Sequence, residues 1–189
     1  MGLHRRRFIA SAAGFVLAAA GPALGAAYVD VPVRGRTAAT AINAIRARNG
    51  LGPLRPHGAL EDAAADQARL MADLDQISHK LRGQSLSSRV RRAGYGGIAG
   101  ENLSAGRADL DRVVEGWMNS PGHRRNMLDP RFSEFGIAAA RVGSGRQSRY
   151  GIYGALLLGA PAGLPGGGGN GGGGLGFRVG RGFRFSIGG

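Results

Sequence analysis

Residues 115–128 read EGWMNSPGHRRNML, and this stretch decides how the rest of the chain is read. Up to Met118 it continues a helical stripe in which Leu110, Val113, Val114, Trp117 and Met118 face inward. At Ser120-Pro121 the helix stops and a new one starts, because serine suits an N-cap and the missing N–H of proline costs nothing in a first turn. His123 therefore lies just past a helix break, eight residues after Glu115. Ser120 also invites a serine nucleophile, but no strained Gly-x-Ser-x-Gly turn surrounds it, and the cap is the better reading.

Working outward, two more polar strings stand out. ISH closes a helical stretch at His79, and GENL carries Glu101 in a strand-like segment, IAGENLS. Imidazole nitrogen binds a divalent metal directly, and a carboxylate on the far ring nitrogen fixes tautomer and basicity. His79 and His123 are accordingly candidate metal ligands, Zn²⁺ being the best match, with Glu101 and Glu115 as carboxylate partners. Two histidines leave a catalytic zinc site short of its usual three protein ligands, so water or a carboxylate would have to complete it. The bland alternatives are that His79 caps a helix end, His123 sits in a surface turn and Glu115 is an exposed helix charge. Asp111, one turn before Glu115, competes for the same role.

The remaining pattern is helical first and stranded last. Apolar residues at 38, 41, 42 and 45 predict a helix over 37–49 with Asn49-Gly50 as its left-handed stop. Leu60, Ala63, Ala64, Gln67, Leu70, Met71 and Leu74 predict a second over 60–74, and SLSSRVRRAGY at 85–95 a short third ended by Gly94. Phe135, Ile137 and Ala139 alternate in one strand, and Tyr150, Ile152 and Leu156–Leu158 in another, with GSGR connecting them. The fold class expected is α+β, with antiparallel sheet and helices on both faces.

The first 27 residues read as an export signal: basic His4–Arg7, an apolar run to Ala20, then small residues before a cleavage point. RRRFI at 5–9 fits the twin-arginine pattern, an ordinary secretory signal being the alternative. The apolar run is too short and too broken by Gly14, Gly21 and Pro22 to stay as a transmembrane anchor. Residues 161–189, beginning PAGLPGGGGNGGGGLG and ending FRVGRGFRFSIGG, read as a flexible tail.

Composition narrows the chemistry. Cysteine is absent, which excludes disulfides, zinc–thiolate sites and thiol catalysis. A net charge of +13 favours anionic partners such as phospholipid headgroups or acidic envelope polymers. Nucleic acid is excluded as a partner, since the arginines are scattered and no aromatic-basic binding string occurs in the domain.

Together, LGPL at 51–54, the helix ending in Ser78-His79, R-x-x-x-A-G-Y at 89–95, GEN at 100–102 and WMNSPGHRRNML at 117–128 resemble the CAP superfamily. These are the SCP-like domains of cysteine-rich secretory, antigen 5 and pathogenesis-related proteins, here in a bacterial secreted form over residues 36–160. The resemblance implies an α-β-α sandwich with a central antiparallel sheet and an open cleft lined by His79, Glu101, Glu115 and His123. It departs from the family pattern in its last strand, YGIYGALLLG, and in lacking the cysteines on which sterol-binding loops depend. The reading that follows is an exported, periplasmic or extracellular domain, non-enzymatic or weakly enzymatic, that binds a divalent metal and an apolar or envelope-derived ligand. The rivals are a metal-dependent hydrolase with Glu101 or Glu115 as general base, and a structural protein of the envelope.

Overall fold

Alternation of large apolar residues with small ones places β4 (Glu134–Val142) and β5 (Ile152–Ala160) at the centre of the sheet, where both faces are covered. In the computed structural model, which describes residues 27–33 and 35–163, the sheet order is β1-β4-β5-β3, with β1 at Tyr28–Val31 and β3 at Ile98–Ala105. These pairs are all antiparallel. A two-residue β2, Arg55–Pro56, adds a parallel pairing to the start of β4.

Among the described residues five helices cover the sheet: α1 (Gly35–Arg48), α2 (Gly58–Leu74), α3 (Leu86–Arg92), α4 (Leu110–Met118) and α5 (Pro121–Met127). Side chains alternate across a strand, so β5 feeds two separate cores. Tyr153, Ala155 and Leu157 pack with α2 and α3, while Leu156 and Leu158 pack with Ile42 of α1, Val113, Val114 and Trp117 of α4, and Met127 of α5. The result is the α-β-α sandwich expected from the sequence. Among the described residues no helix is long and apolar enough to cross a membrane.

Close approach of α2 to the sheet depends on one glycine. A Cβ on Gly136 would lie 2.1 Å from the backbone of Leu60 and Glu61, so no larger residue fits beneath the first turn of α2. The other face is tied together by Arg46 of α1, which is fully buried. Its guanidinium donates to the carbonyls of Gly52, Met127, Asp129 and Phe132, holding the end of α5 and the turn after it against α1.

Helix boundaries follow the caps read from sequence. Gly50 and Gly94 take left-handed φ values of +71° and +85°, and Pro121 opens α5. Ser120 occupies the N-cap position without a side-chain cap hydrogen bond. The sheet also reaches upstream of residue 36, since β1 pairs Tyr28 with Val142 and Val31 with Ala139. The export-signal reading of 1–27 lies outside the described residues except for Ala27, whose carbonyl accepts from Gly143 N and Arg146 Nη1. The tail reading of 161–189 lies outside them from residue 164 onward.

Candidate functional site

The site forms along β3, the last strand in the sheet order, where the two helical layers meet. Successive residues of the GEN string point to opposite faces there. Gly100 leaves room for the Phe132 ring, which would lie 3.0 Å from a Cβ at that position. Glu101 turns toward the α2–α3 layer and is 5% exposed. Asn102 turns toward α5, where its amide donates to the His123 carbonyl at 3.1 Å and its Oδ1 accepts from Asn126 at 2.9 Å.

A carboxylate buried this deeply needs compensation on both oxygens. Oε1 accepts from Arg89 Nη2 of α3, a guanidinium that is itself fully buried. Oε2 faces His79 Nδ1 at 2.7 Å. A carboxylate oxygen in such a bond accepts, so the proton between them sits on His79 Nδ1, and Nε2 is the ring nitrogen left outside the pair. Two further bonds fix the segment carrying His79: Gln67 Nε2 donates to Ser78 O at 2.6 Å, and Arg89 Nη1 to His79 O at 3.3 Å.

His123 reaches the same edge from the opposite layer, on α5. Its Nδ1 is buried and has no hydrogen-bond partner among the described residues. Burial first, and the repulsion that a proton on His123 would meet from a protonated His79 second, lower its pKa below the ordinary histidine value of 6.5. The neutral ring that results is the form able to bind a metal ion.

His79 and Glu101 are thus bonded to each other, and His123 lies near enough for His79 to affect its protonation. Glu115 does not join them. It is exposed on the flank of α4 that faces α1, where Ala41, Ala44, Arg48, Asp111 and Met118 share with it a groove of about 450 Å³. It makes no hydrogen bond or ion pair with His79, Glu101 or His123. The reason is the phase of α4: burying Val113, Val114 and Trp117, with Trp117 Nε1 bonded to Leu103 O at 2.9 Å, rotates 111, 115 and 118 toward α1. Arg89 is the residue that the sequence reading left out. Its signal was the R-x-x-x-A-G-Y string, which reads equally well as an exposed basic helix face.

The sequence profile described as CAP: Cysteine-rich secretory protein family matches residues 39–155, well over half of the chain. The chain belongs to the CAP family. The uncharacterized protein YkwD of Bacillus subtilis (strain 168) is 34% identical over 106 residues, 54% of this chain and 40% of YkwD. The CAP region thus answers to less than half of that relative. Among solved structures, the fold is shared with an outer surface protein from Borrelia burgdorferi, at 20% identity and a TM-score of 0.62 over 70% of this chain and 98% of that one. It is shared too with an extracellular protein containing a SCP domain from Bacillus anthracis, at 24% identity and a TM-score of 0.57 over 69% of this chain and 45% of that one.

The donor set of this CAP cleft fits a metal only in part. His79 Nε2 and a nitrogen of His123 are imidazole donors of the right kind, and Glu101 behind His79 is the carboxylate that commonly orients a metal-bound histidine. No third ligand joins them: among the described residues no group of three His, Cys, Asp or Glu side chains is placed to hold a metal ion. Two imidazoles without a third ligand do not make a closed structural site, and any ion between them would need water or a ligand to complete it.

Proposed function

We propose that this CAP domain is an exported binding protein whose cleft holds a divalent cation, Zn²⁺ by donor type, between His79 and His123, with an envelope-derived or apolar ligand beside it. The observation that carries the reading is the double engagement of Glu101, by Arg89 on one oxygen and His79 on the other. A general base must be free to take a proton from water or substrate. Glu101 is committed and buried, and Glu115 opens into a different groove, so neither carboxylate is available to hydrolysis at the histidine pair. A bound dication would supply charge and coordination, and His79 and His123 would hold it.

Two further features support the reading. The basic leader fits export, and the extracellular character named for the Bacillus anthracis protein agrees with it. A separate, mostly apolar cavity of about 290 Å³ under Val33, Leu110, Val113, Trp117 and Ile137, with Ser104 and Arg107 on its wall and none of the histidine-site residues, has the size for a short alkyl chain. The test is a zinc titration paired with peptide and ester hydrolysis assays on the wild type and Glu101→Gln. Zinc binding that falls roughly 10–100-fold in the variant, with no hydrolysis in either, is the expected result. Hydrolysis that is lost in Glu101→Gln would replace binding with catalysis.

A further inference from the structure

The groove that takes Glu115 away from the histidines has a chemistry of its own. Small side chains at Ala41 and Ala44 leave α1 and α4 apart there, in a space of about 450 Å³ whose apolar wall adds Ile45, Val114 and Met118. Asp111, Glu115 and Arg48 complete the lining, all three exposed. Unengaged acids are scarce in this basic chain. Of its twelve, eight accept a hydrogen bond from another described residue, which leaves Glu61, Asp62, Asp111 and Glu115. The last two stand one helical turn apart on this groove, against the one guanidinium of Arg48, so carboxylate is in excess there.

Apolar walls with surplus carboxylate suit a segment that is aromatic and cationic at once. The chain carries one. FRVGRGFRF at 177–185 holds three of the seven phenylalanines and three arginines, and no acid follows Glu134 to neutralise them. β5 delivers the chain to the right layer, since Ala160 packs on the same apolar cluster as Ile45 and Met118. From Gly163, the thirteen residues 164–176 span at most about 45 Å, and a domain of this size is roughly 35–40 Å across, so the groove is within reach. We propose that residues 177–185 dock in the α1–α4 groove of their own chain, phenylalanine against Ile45, Val114 and Met118, and arginine against Asp111 and Glu115. A guanidinium forks onto a carboxylate with charge-assisted bonds, and the pliable thioether of Met118 adapts to a ring. The covalent tether sets an effective concentration on the order of millimolar, so a contact too weak between separate molecules persists within one. Docking here is independent of the histidine cleft and holds whether or not an ion binds there.

The chain has no cysteine, so Ser186→Cys gives a single site for a nitroxide spin label just past the segment. In the full chain with methyl-labelled methionine, the label is expected to broaden the Met118 signal in the groove and to spare Met71, buried in the layer of α2. Raising the salt should weaken the broadening, because part of the attraction is electrostatic. Asp111→Lys with Glu115→Lys should abolish it, and so should Arg178→Glu with Arg181→Glu and Arg184→Glu, which leaves the folded domain untouched. Combining the two sets exchanges the charges and should restore it. A sharp Met118 signal in the labelled parent protein overturns the proposal, as does broadening that survives either set of substitutions. Equal broadening of Met71 and Met118 overturns it too, because the segment then has no preferred seat. Mixing spin-labelled chains that carry no isotope with isotope-labelled chains that carry no spin label separates the occupants. A sharp Met118 in the mixture keeps the segment on its own chain, and a broadened one gives the groove to the tail of a second copy and overturns the assignment.

Discussion

Arg89 and Glu101 meet as an ion pair with both side chains almost wholly removed from water, and the second oxygen of the same carboxylate holds His79. Removing one member of such a pair leaves the other charge buried and uncompensated. Arg89→Met is therefore expected to cost about 3–5 kcal/mol of unfolding free energy in a urea titration. The double variant Arg89→Met, Glu101→Leu should recover much of that loss, since two apolar side chains replace the pair. A single variant within about 1 kcal/mol of wild type would mean that the pair does not hold the loop of His79.

Arg46 plays the corresponding part on the other face. Four carbonyls, from Gly52, Met127, Asp129 and Phe132, share its guanidinium. Arg46→Met should leave those acceptors without a donor and lower stability by about 2–4 kcal/mol, and Arg46→Lys should restore only part, because an ammonium cannot reproduce the planar fork. Thermal unfolding of the three proteins checks the order.

How far the sequence disclosed this arrangement depended on the range of the forces involved. Helical stripes and caps are local, so α1, α2, α3 and α4 were legible to within two or three residues, as were the two central strands. β1 and β2 were not. Tyr28–Val31 is four residues long and gains its identity only from pairing with Val142 to Ala139, over a hundred residues away. Arg55–Pro56 is a strand only because β4 lies beside it. Of the strings singled out, those of His79 and Glu101 bring two side chains into one hydrogen bond, whereas Arg89 went unnamed and Glu115 lies in a separate groove. An amphipathic helix shows which residues flank its buried stripe, not which neighbour each flank will meet. Arg89 sits in SSRVRR, where only a distant buried carboxylate distinguishes it from the exposed Arg91 and Arg92.

Two glycines separate close packing from open space. A Cβ on Gly136 would overlap the backbone at Leu60 and Glu61, whereas nothing lies within 4 Å of one on Gly116, inside α4. Gly136→Ala should push α2 off the sheet and cost on the order of 1–3 kcal/mol. Gly116→Ala should raise stability by about 0.5–1 kcal/mol through helix propensity alone. Chemical denaturation of both variants reads the opposite signs.

The lowered pKa of His123 sets a pH dependence. Its folded pKa lies below the unfolded value of about 6.5, so between the two the unfolded chain binds more protons and stability rises with pH. The contribution is complete above about pH 6.5 and is lost as pH falls toward the folded value. Asp75 and Asp129, whose pKa values are lowered from 3.8 chiefly by hydrogen bonds from Ser148 and Arg131, lose their contributions only at more acid pH. Denaturation midpoints from about pH 8 to 5 should fall in wild type and stay nearly level in His123→Gln.

The central claim is that His79 and His123, arriving from opposite layers of the sandwich, act on one ion with Glu101 behind them and Glu115 apart. Anomalous diffraction at the zinc edge from zinc-soaked crystals tests it most directly. The account predicts one peak at about 2.0–2.1 Å from His79 Nε2 and from a ring nitrogen of His123, with Glu101 still bonded to His79 Nδ1. A peak bound by Glu115, or zinc held by one histidine without the other, would contradict it.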